Sequence, residues 1–216
     1  MRVSEIFDSI DGEGIRTGMC VTFIRLCGCN LRCGYCDTKY SWSMDSGAEM
    51  TEDEILDKVN FKRVTLTGGE PLIHPGAASL IKRLASSGHE VNIETNGAAD
   101  ISGFKEDGVF FTIDYKLPSS GEEDKMLWDN FTALSCDDVI KFVVGSEEDA
   151  DRMTELVTRL KDYYKDRMPH IFAGAVFESM PPSRLAEYLI SHKELEDVRL
   201  QLQIHKYIWD PDMRGV

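Results

Sequence analysis

The chain has 216 residues, 42% of them apolar and 29% charged, and a formal net charge of −14. That length suits one domain, 1–216, with a real core, and 7 prolines argue against a disordered chain. So acidic a surface repels phosphate backbones, and no Lys/Arg cluster offsets it, so nucleic acid is not an expected partner; no apolar run is long enough to cross a bilayer, which excludes a membrane span.

The opening residues, Met1-Arg2-Val3-Ser4-Glu5, lack the basic and apolar regions of a signal peptide, so the cytoplasm is the expected location. Strands are expected over 3–7 and 21–27. Thr51 and Glu54 have the spacing of a capping box. Residues 63–67 read as a strand and 76–87 as a helix, with Gly88 as its stop. Further strands are expected over 91–95, 109–115 and 139–144. Ser146 caps a long helix that places Met153, Leu156, Val157, Leu160 and Tyr164 on one face. A strand over 171–177, a helix over 183–192 and a last strand over 198–204 complete the chain. Strand followed by helix, repeated, implies a parallel sheet with right-handed crossovers. The fold class is α/β, an incomplete parallel β/α barrel, since a closed eight-stranded one typically takes about 250 residues.

The unusual polar motifs follow the strands. Gly68-Gly69-Glu70-Pro71 follows Thr67, Asn96-Gly97 follows Thr95, Asp114 and Lys116 close the strand 109–115, and His205-Lys206 follows Ile204. In parallel α/β folds the carboxyl ends of the strands share one face, so these distant motifs are expected in one site.

Six cysteines stand at 20, 27, 29, 33, 36 and 136. Four lie within ten residues, where disulfides among them would strain the backbone. Cys29, Cys33 and Cys36 are soft thiolate ligands suited to iron–sulfur, zinc or Cu(I). Structural zinc takes four ligands, usually as two separated pairs, and no second pair exists here. Cys27 continues an apolar strand and reads as core filling; Cys20 and Cys136 read as packing. Three thiolates on a 4Fe–4S cluster leave one iron open to the amino and carboxylate groups of S-adenosylmethionine. An electron passed to the sulfonium then breaks a C–S bond and releases a 5′-deoxyadenosyl radical. The competing reading is a zinc-binding loop.

Cys29-Asn-Leu-Arg-Cys33-Gly-Tyr-Cys36 resembles the cluster loop of the radical S-adenosylmethionine superfamily. With Phe7-Asp-Ser-Ile-Asp-Gly-Glu-Gly14, Phe23-Ile-Arg-Leu26, Cys36-Asp-Thr38, Gly68-Gly-Glu-Pro71, Glu94-Thr-Asn-Gly97, Lys116-Leu-Pro-Ser-Ser-Gly121 and Gln203-Ile-His-Lys206, the whole chain resembles the 7-carboxy-7-deazaguanine synthases. The resemblance implies rearrangement of 6-carboxy-5,6,7,8-tetrahydropterin to 7-carboxy-7-deazaguanine with loss of ammonia, towards queuosine or archaeosine. It implies a 4Fe–4S cluster, S-adenosylmethionine, Mg²⁺, an external electron donor and a homodimer. A glycyl-radical activase, sharing the cluster loop, and a non-catalytic iron–sulfur or zinc module are the alternatives.

The resemblance also implies roles. Thr38 contacts Mg²⁺, a hard ion that keeps much of its shell as water and substrate. Gly68, Gly69 and Glu70 hold the methionine end of S-adenosylmethionine: the glycines let backbone approach it and the carboxylate accepts from its ammonium. Gly97, Asp114 and Lys116 are further cofactor contacts. Ile10, Asp11, Gly12, Glu13, Arg25, Thr95, His205 and the terminal carboxylate of Val216 contact the substrate. An arginine in an apolar strand needs a partner, and for Arg25 it is either substrate or an internal carboxylate. Asp11 departs from the family, which usually has Gln there.

Overall fold

The computed structural model describes residues 1–165 and 167–216. Nine strands form one sheet: β1 (Arg2–Ile10), β2 (Cys20–Leu26), β3 (Ala48–Glu49), β4 (Arg63–Gly68), β5 (Glu90–Thr95), β6 (Val109–Tyr115), β7 (Val139–Val144), β8 (His170–Ala175) and β9 (Val198–Gln201). Their order is β3-β1-β2-β4-β5-β6-β7-β8-β9. The β2-to-β9 run is parallel, while β1 lies antiparallel to β2 and β3. The helices are α1 (Glu52–Leu56), α2 (Ala77–Ser86), α3 (Trp128–Thr132), α4 (Glu147–Tyr164), α5 (Pro182–Ser191) and α6 (His205–Ile208).

Local chemistry sets several boundaries. Thr51 and Glu54 form the expected capping box on α1. Ser146 accepts from the Asp149 N–H at the start of α4. Gly88, at φ +86°, follows the end of α2. The β5–β6 connection carries only a 3-10 turn at Ser102–Phe104 where a crossover helix is usual.

Three expected strands differ. β1 runs to Ile10 instead of stopping at 7, because it pairs along its length with β2, from Val3↔Leu26 to Ile10↔Cys20. β8 is His170–Ala175 rather than 171–177, and β9 stops at Gln201 rather than 204. Beyond Gln201 the chain turns, and the Ile204 N–H donates to Gly12 O (3.3 Å), a bond outside the ladder. His205 therefore opens a short helix and is not a strand-end residue. Cys20, expected in the packing, is exposed at the start of β2.

Alternation along the parallel strands divides the sheet into two chemistries. One face buries Val64, Leu66, Val91, Ile93, Phe111, Ile113, Ile140, Phe142, Val144 and Ile171 in the core with Leu80, Leu84, Met153 and Leu160 of the helices. The opposite face carries Thr65, Thr67, Asn92, Glu94, Thr112, Asp114, Lys141 and Gln201. The sheet curls round this polar face. The loop after β1, near one end of the strand order, reaches β9 at the other: the Gly14 N–H donates to Gln201 Oε1 (3.0 Å).

Candidate active site inside the partial barrel

The loop 11–17 plugs the amino end of the parallel strands. Arg16 donates to Glu90 O and Val64 O (both 3.1 Å), which lie at the starts of β5 and β4. Its guanidinium also holds Asp11 (2.8 Å) and Thr65 Oγ1 (2.6 Å), and Thr65 Oγ1 donates to Asp11 Oδ1 (3.0 Å). Asp11 is 2% exposed, and its backbone N–H and C=O are taken by Met19 and Gly18. Every polar atom of Asp11 is thus committed inside the protein, so its carboxylate seals the floor rather than facing a ligand. Burial pushes that carboxyl up, and Arg16 opposes the shift. Ile10, at the end of β1, pairs with Cys20.

Glu13 rises from this plug into the polar face. Its carboxylate accepts from Lys141 Nζ (3.0 Å) and Gln201 Nε2 (3.1 Å). Lys141 also pairs with Asp114 (3.2 Å), and Asp114 with Lys116 (2.6 Å). Burial alone would raise Asp114, but the two ammonium groups outweigh it and hold the carboxyl below its ordinary value. The same contacts outweigh desolvation on the lysines and raise both. Glu94, beside this chain of charges, is raised by burial, with Lys141 opposing. Thr112 Oγ1 donates to Asn92 Oδ1 (2.9 Å).

His205 packs against the plug: a Cβ on Gly12 would lie 2.3 Å from its Nδ1, so the ring would have to shift to admit one. Burial lowers the His205 pKa. Lys206 reaches Asp37 of the cysteine loop at 3.5 Å. Arg214 stacks on Tyr40 at 3.9 Å, which ties the C-terminal residues to the Tyr40–Glu5 pair, and Val216 is half-buried. A cavity of about 220 Å³, lined partly by Phe177, Met180, Gln201 and Lys206, borders the polar face; its apolar lining lies outside the charged chain.

Arg25 finds the internal partner. Its Nε lies 2.7 Å from Glu5 Oε1, which also accepts from Tyr40 Oη (2.7 Å).

At the carboxyl ends of the strands, the cysteine loop is pinned by backbone. The Gly28 N–H donates to Ser41 O (2.8 Å), Cys29 N–H to Trp42 O (3.2 Å), Gly34 N–H to Ser120 O (3.1 Å) and Arg32 N–H to Glu122 Oε1 (2.7 Å). Cys33 is buried, Cys29 and Cys36 are half-buried, and all three thiols are free. Cys27 turns away, donating its S–H to Ser46 O, in keeping with core filling.

Gly68 and Gly69 are glycines because the end of β2 and the start of this loop press on them. A Cβ on Gly68 would sit 2.4 Å from Leu26 O, and one on Gly69 2.3 Å from Gly28 O and 2.7 Å from Cys29 Cβ. The backbone they admit is therefore that of β2 and of the loop that follows it. Glu70 is fully buried and accepts from Leu72 N (3.1 Å), Asn96 N (2.6 Å) and Thr95 Oγ1 (2.8 Å). Its carboxylate thus ties the β4 and β5 loops together, and the Thr95 hydroxyl is spent on it. Burial outweighs these bonds and raises Glu70 to about 7. Gly97 has φ +79°, and a Cβ there would meet Asp114 O at 2.8 Å.

The radical SAM superfamily model matches residues 23–175. Curated 7-carboxy-7-deazaguanine synthases align along the whole chain. That of Clostridium acetobutylicum is 42% identical over 100% of this chain and 99% of its own, and that of Thermoplasma acidophilum 35% identical over 100% of both. The chain belongs to the 7-carboxy-7-deazaguanine synthases of the radical SAM superfamily. The crystal structure of QueE from Escherichia coli superposes with a TM-score of 0.72 at 26% identity, covering 92% of each chain.

Radical SAM membership implies a 4Fe–4S cluster and S-adenosylmethionine, and the site fits both. Cys29 Sγ accepts from Leu31 N (3.4 Å) and Asn96 Nδ2 (3.8 Å), bonds that favour a thiolate. Burial raises the Cys29 and Cys33 thiols, so a positive metal centre is what deprotonates them; Lys116 assists at Cys33. Among the described residues no three His, Cys, Asp or Glu side chains converge on a single-ion site. Tyr35 Oη, buried near Lys116 and Cys33, has no hydrogen-bond partner among the described residues, a polar atom suited to a bound cofactor. Thr38 Oγ1 lies 3.7 Å from Cys36 Sγ.

Lys141, Gln201 and Asp149 join the site or its support without having been expected. Asp149 accepts from the backbone N–H groups of Ser119 (2.9 Å) and Gly145 (2.7 Å), bracing the turn that holds Gly34. Lys141 carried a signal in its setting, Val-Ile-Lys-Phe-Val-Val, where a lone lysine in an apolar strand requires a buried partner.

Proposed function

We propose that this chain converts 6-carboxy-5,6,7,8-tetrahydropterin to 7-carboxy-7-deazaguanine with loss of ammonia, in 7-deazapurine synthesis. The observation that carries the proposal is one continuous charged chain, Gln201–Glu13–Lys141–Asp114–Lys116, running from the barrel floor to the cysteine loop. It gives a polar heterocycle a floor of fixed charges and a ceiling at the cofactor, within a relative-wide match of 42% identity.

When bound, the cluster and S-adenosylmethionine supply a 5′-deoxyadenosyl radical that abstracts a substrate hydrogen. Cys29, Cys33 and Cys36 hold the cluster. Gly68, Gly69, Gly97, Asp114 and Lys116 shape the cofactor's place, with Glu70 fixing the loops. Glu13, its carboxylate aimed by Lys141 and Gln201, accepts from ring N–H groups. His205 and Gly12 define one wall. Asp11 holds the floor in place through Arg16 and Thr65, with Ile10 beside it at the end of β1, and Thr95 acts through Glu70. Arg25 exchanges Glu5 for the substrate carboxylate, and the Val216 terminus closes over it. Thr38 would offer Mg²⁺ a hard hydroxyl oxygen. The enzyme is a single-domain cytoplasmic homodimer that takes electrons from an external donor.

The test is anaerobic cluster reconstitution, then dithionite, S-adenosylmethionine and the carboxytetrahydropterin, with and without Mg²⁺. Mass spectrometry should show 7-carboxy-7-deazaguanine. Cofactor cleavage without that product would favour an activase, and no cleavage a binding module. Cys33→Ala should abolish the cluster absorbance that Cys27→Ala retains.

A further inference from the structure

Along the plug and the polar face, carboxylates outnumber cations. Glu5 pairs with Arg25 (2.7 Å), Asp11 with Arg16 (2.8 Å), Glu13 with Lys141 (3.0 Å), and Asp114 with both Lys116 (2.6 Å) and Lys141 (3.2 Å). Glu94 is the carboxylate left over. Among the described residues no cation lies within ion-pair distance of it, and the Thr67 hydroxyl is the hydrogen-bond donor beside it. It stands half-buried on the polar face, one residue before the end of β5, in register with Thr112 of β6. Lys141 of β7 and Arg25 of β2 attract it from farther off, while Asp11 and Glu13 of the plug repel it. A shielded carboxylate without a counter-ion is costly, and a proton or a ligand is what relieves it.

We propose that Glu94 is a catalytic residue of the ammonia-loss step, a general base that takes a carbon-bound proton of the substrate ring and hands it to the departing amine. The assignment deepens the functional reading above and rests on it. The reduced pterin has a ring methylene where the aromatic product has a single C–H, so one C–H bond there breaks as the amine leaves. Its electron pair becomes the new ring double bond, and the pair of the C–N bond leaves on nitrogen. The proton passes from carbon to a Glu94 carboxylate oxygen and from there to the nitrogen. The group departs as ammonia, and Glu94 ends as the carboxylate it began as. No oxidant or reductant enters this step. The neighbouring carboxylates lack that freedom. Lys116 and Lys141 hold Asp114 ionised, which weakens it as a base. Glu13 is fixed by Lys141 and Gln201, Glu5 is shared by Arg25 and Tyr40, and Asp11 is sealed in the floor. Burial raises the Glu94 carboxyl, Lys141 opposes, and Asp11 and Glu13 add to the rise. Glu94 is thereby a stronger base than its paired neighbours.

Reconstituted wild type and Glu94→Gln are compared on carboxytetrahydropterin bearing hydrogen or deuterium at its ring methylene. Glu94→Gln should slow product formation by roughly 10²–10⁴-fold. It should also enlarge the methylene isotope effect on that rate, because proton removal becomes the slow step. Equilibrium dialysis of the unreduced holoenzyme should give a pterin dissociation constant within about threefold of wild type. No ion pair is lost, so Tm should move by less than about 2 °C. Glu94→Asp, which keeps a carboxylate on a shorter arm, should form product faster than Glu94→Gln. Turnover of Glu94→Gln within about tenfold of wild type would overturn the assignment. So would a loss matched by weaker pterin binding with the isotope effect unchanged. An enlarged isotope effect in His205→Gln but not in Glu94→Gln would make the imidazole the base instead. Absence of product from wild type would refute the functional reading and this step with it, whereas product from wild type with an indifferent Glu94→Gln refutes Glu94 alone.

Discussion

Replacing Lys141 by Met removes the counter-ion shared by Glu13 and Asp114. Its side chain is 11% exposed, Asp114's 18% and Glu13's 16%, so the orphaned carboxylates stay largely shielded. Breaking a buried pair from one side costs about 3–5 kcal/mol. For a domain of this size that is a fall in Tm of about 6–20 °C. The sign with pH follows from the shifts. Asp114 has a lowered folded pKa, so its stabilisation is present above its unfolded value near 3.8 and is lost as pH falls through the folded one. Lys141 has a raised folded pKa, so its contribution is complete below 10.5 and is lost only as pH rises through the folded value. The wild-type pair therefore adds no slope of its own between about pH 5 and pH 9, and a difference that grows with pH in this window reports the orphaned carboxylates of the variant. Thermal unfolding of the anaerobic protein by circular dichroism measures it. Lys141→Met/Asp114→Asn should be less destabilised than the two single changes summed, since one carboxylate no longer needs a partner. A Tm loss under about 2 °C, or simple additivity, would refute the view that Lys141 is the keystone of these charges.

Glu70, raised to about 7 by burial, makes the opposite prediction: the fold loses stability as pH rises from the unfolded value near 4.5 through about 7, and Glu70→Gln should flatten that decline while costing about 1–3 kcal/mol for a misplaced donor. Gly69→Ala places a Cβ 2.3 Å from Gly28 O, so reconstitution should yield markedly less cluster, with a stability loss of about 1–3 kcal/mol. Gly12→Ala meets the His205 ring, whose side chain can yield; KM for the pterin should rise several-fold while Tm moves by less than about 2 °C. Arg25→Gln leaves Glu5 with Tyr40 as its remaining side-chain partner, and should raise KM more than it lowers kcat if Arg25 passes to the substrate.

The order of elements was legible in the sequence because it rests on local rules. Capping at Thr51 and Ser146, the helical stripe of α4, and apolar runs such as 63–67 and 139–144 need no tertiary context. The cysteine spacing was equally legible, since ligand type and count are properties of the residues themselves. What sequence could not reveal was direction and company. Nothing in Ile10 to Gly14 shows that β1 runs against its neighbours and so delivers Glu13 from the floor rather than the rim. Nothing in Asp11 names Arg16 and Thr65 as its partners, nor in Glu70 that its oxygens hold two loops instead of a ligand. Glycines 68 and 69 looked like a cradle for a ligand, and the backbone they cradle belongs to residues forty positions earlier. Local periodicity reports how a segment sits on its own axis. Which buried charges meet is decided only when the sheet curls and brings β1's loop against β7 and β9, because a desolvated charge must find its opposite wherever the fold has placed one.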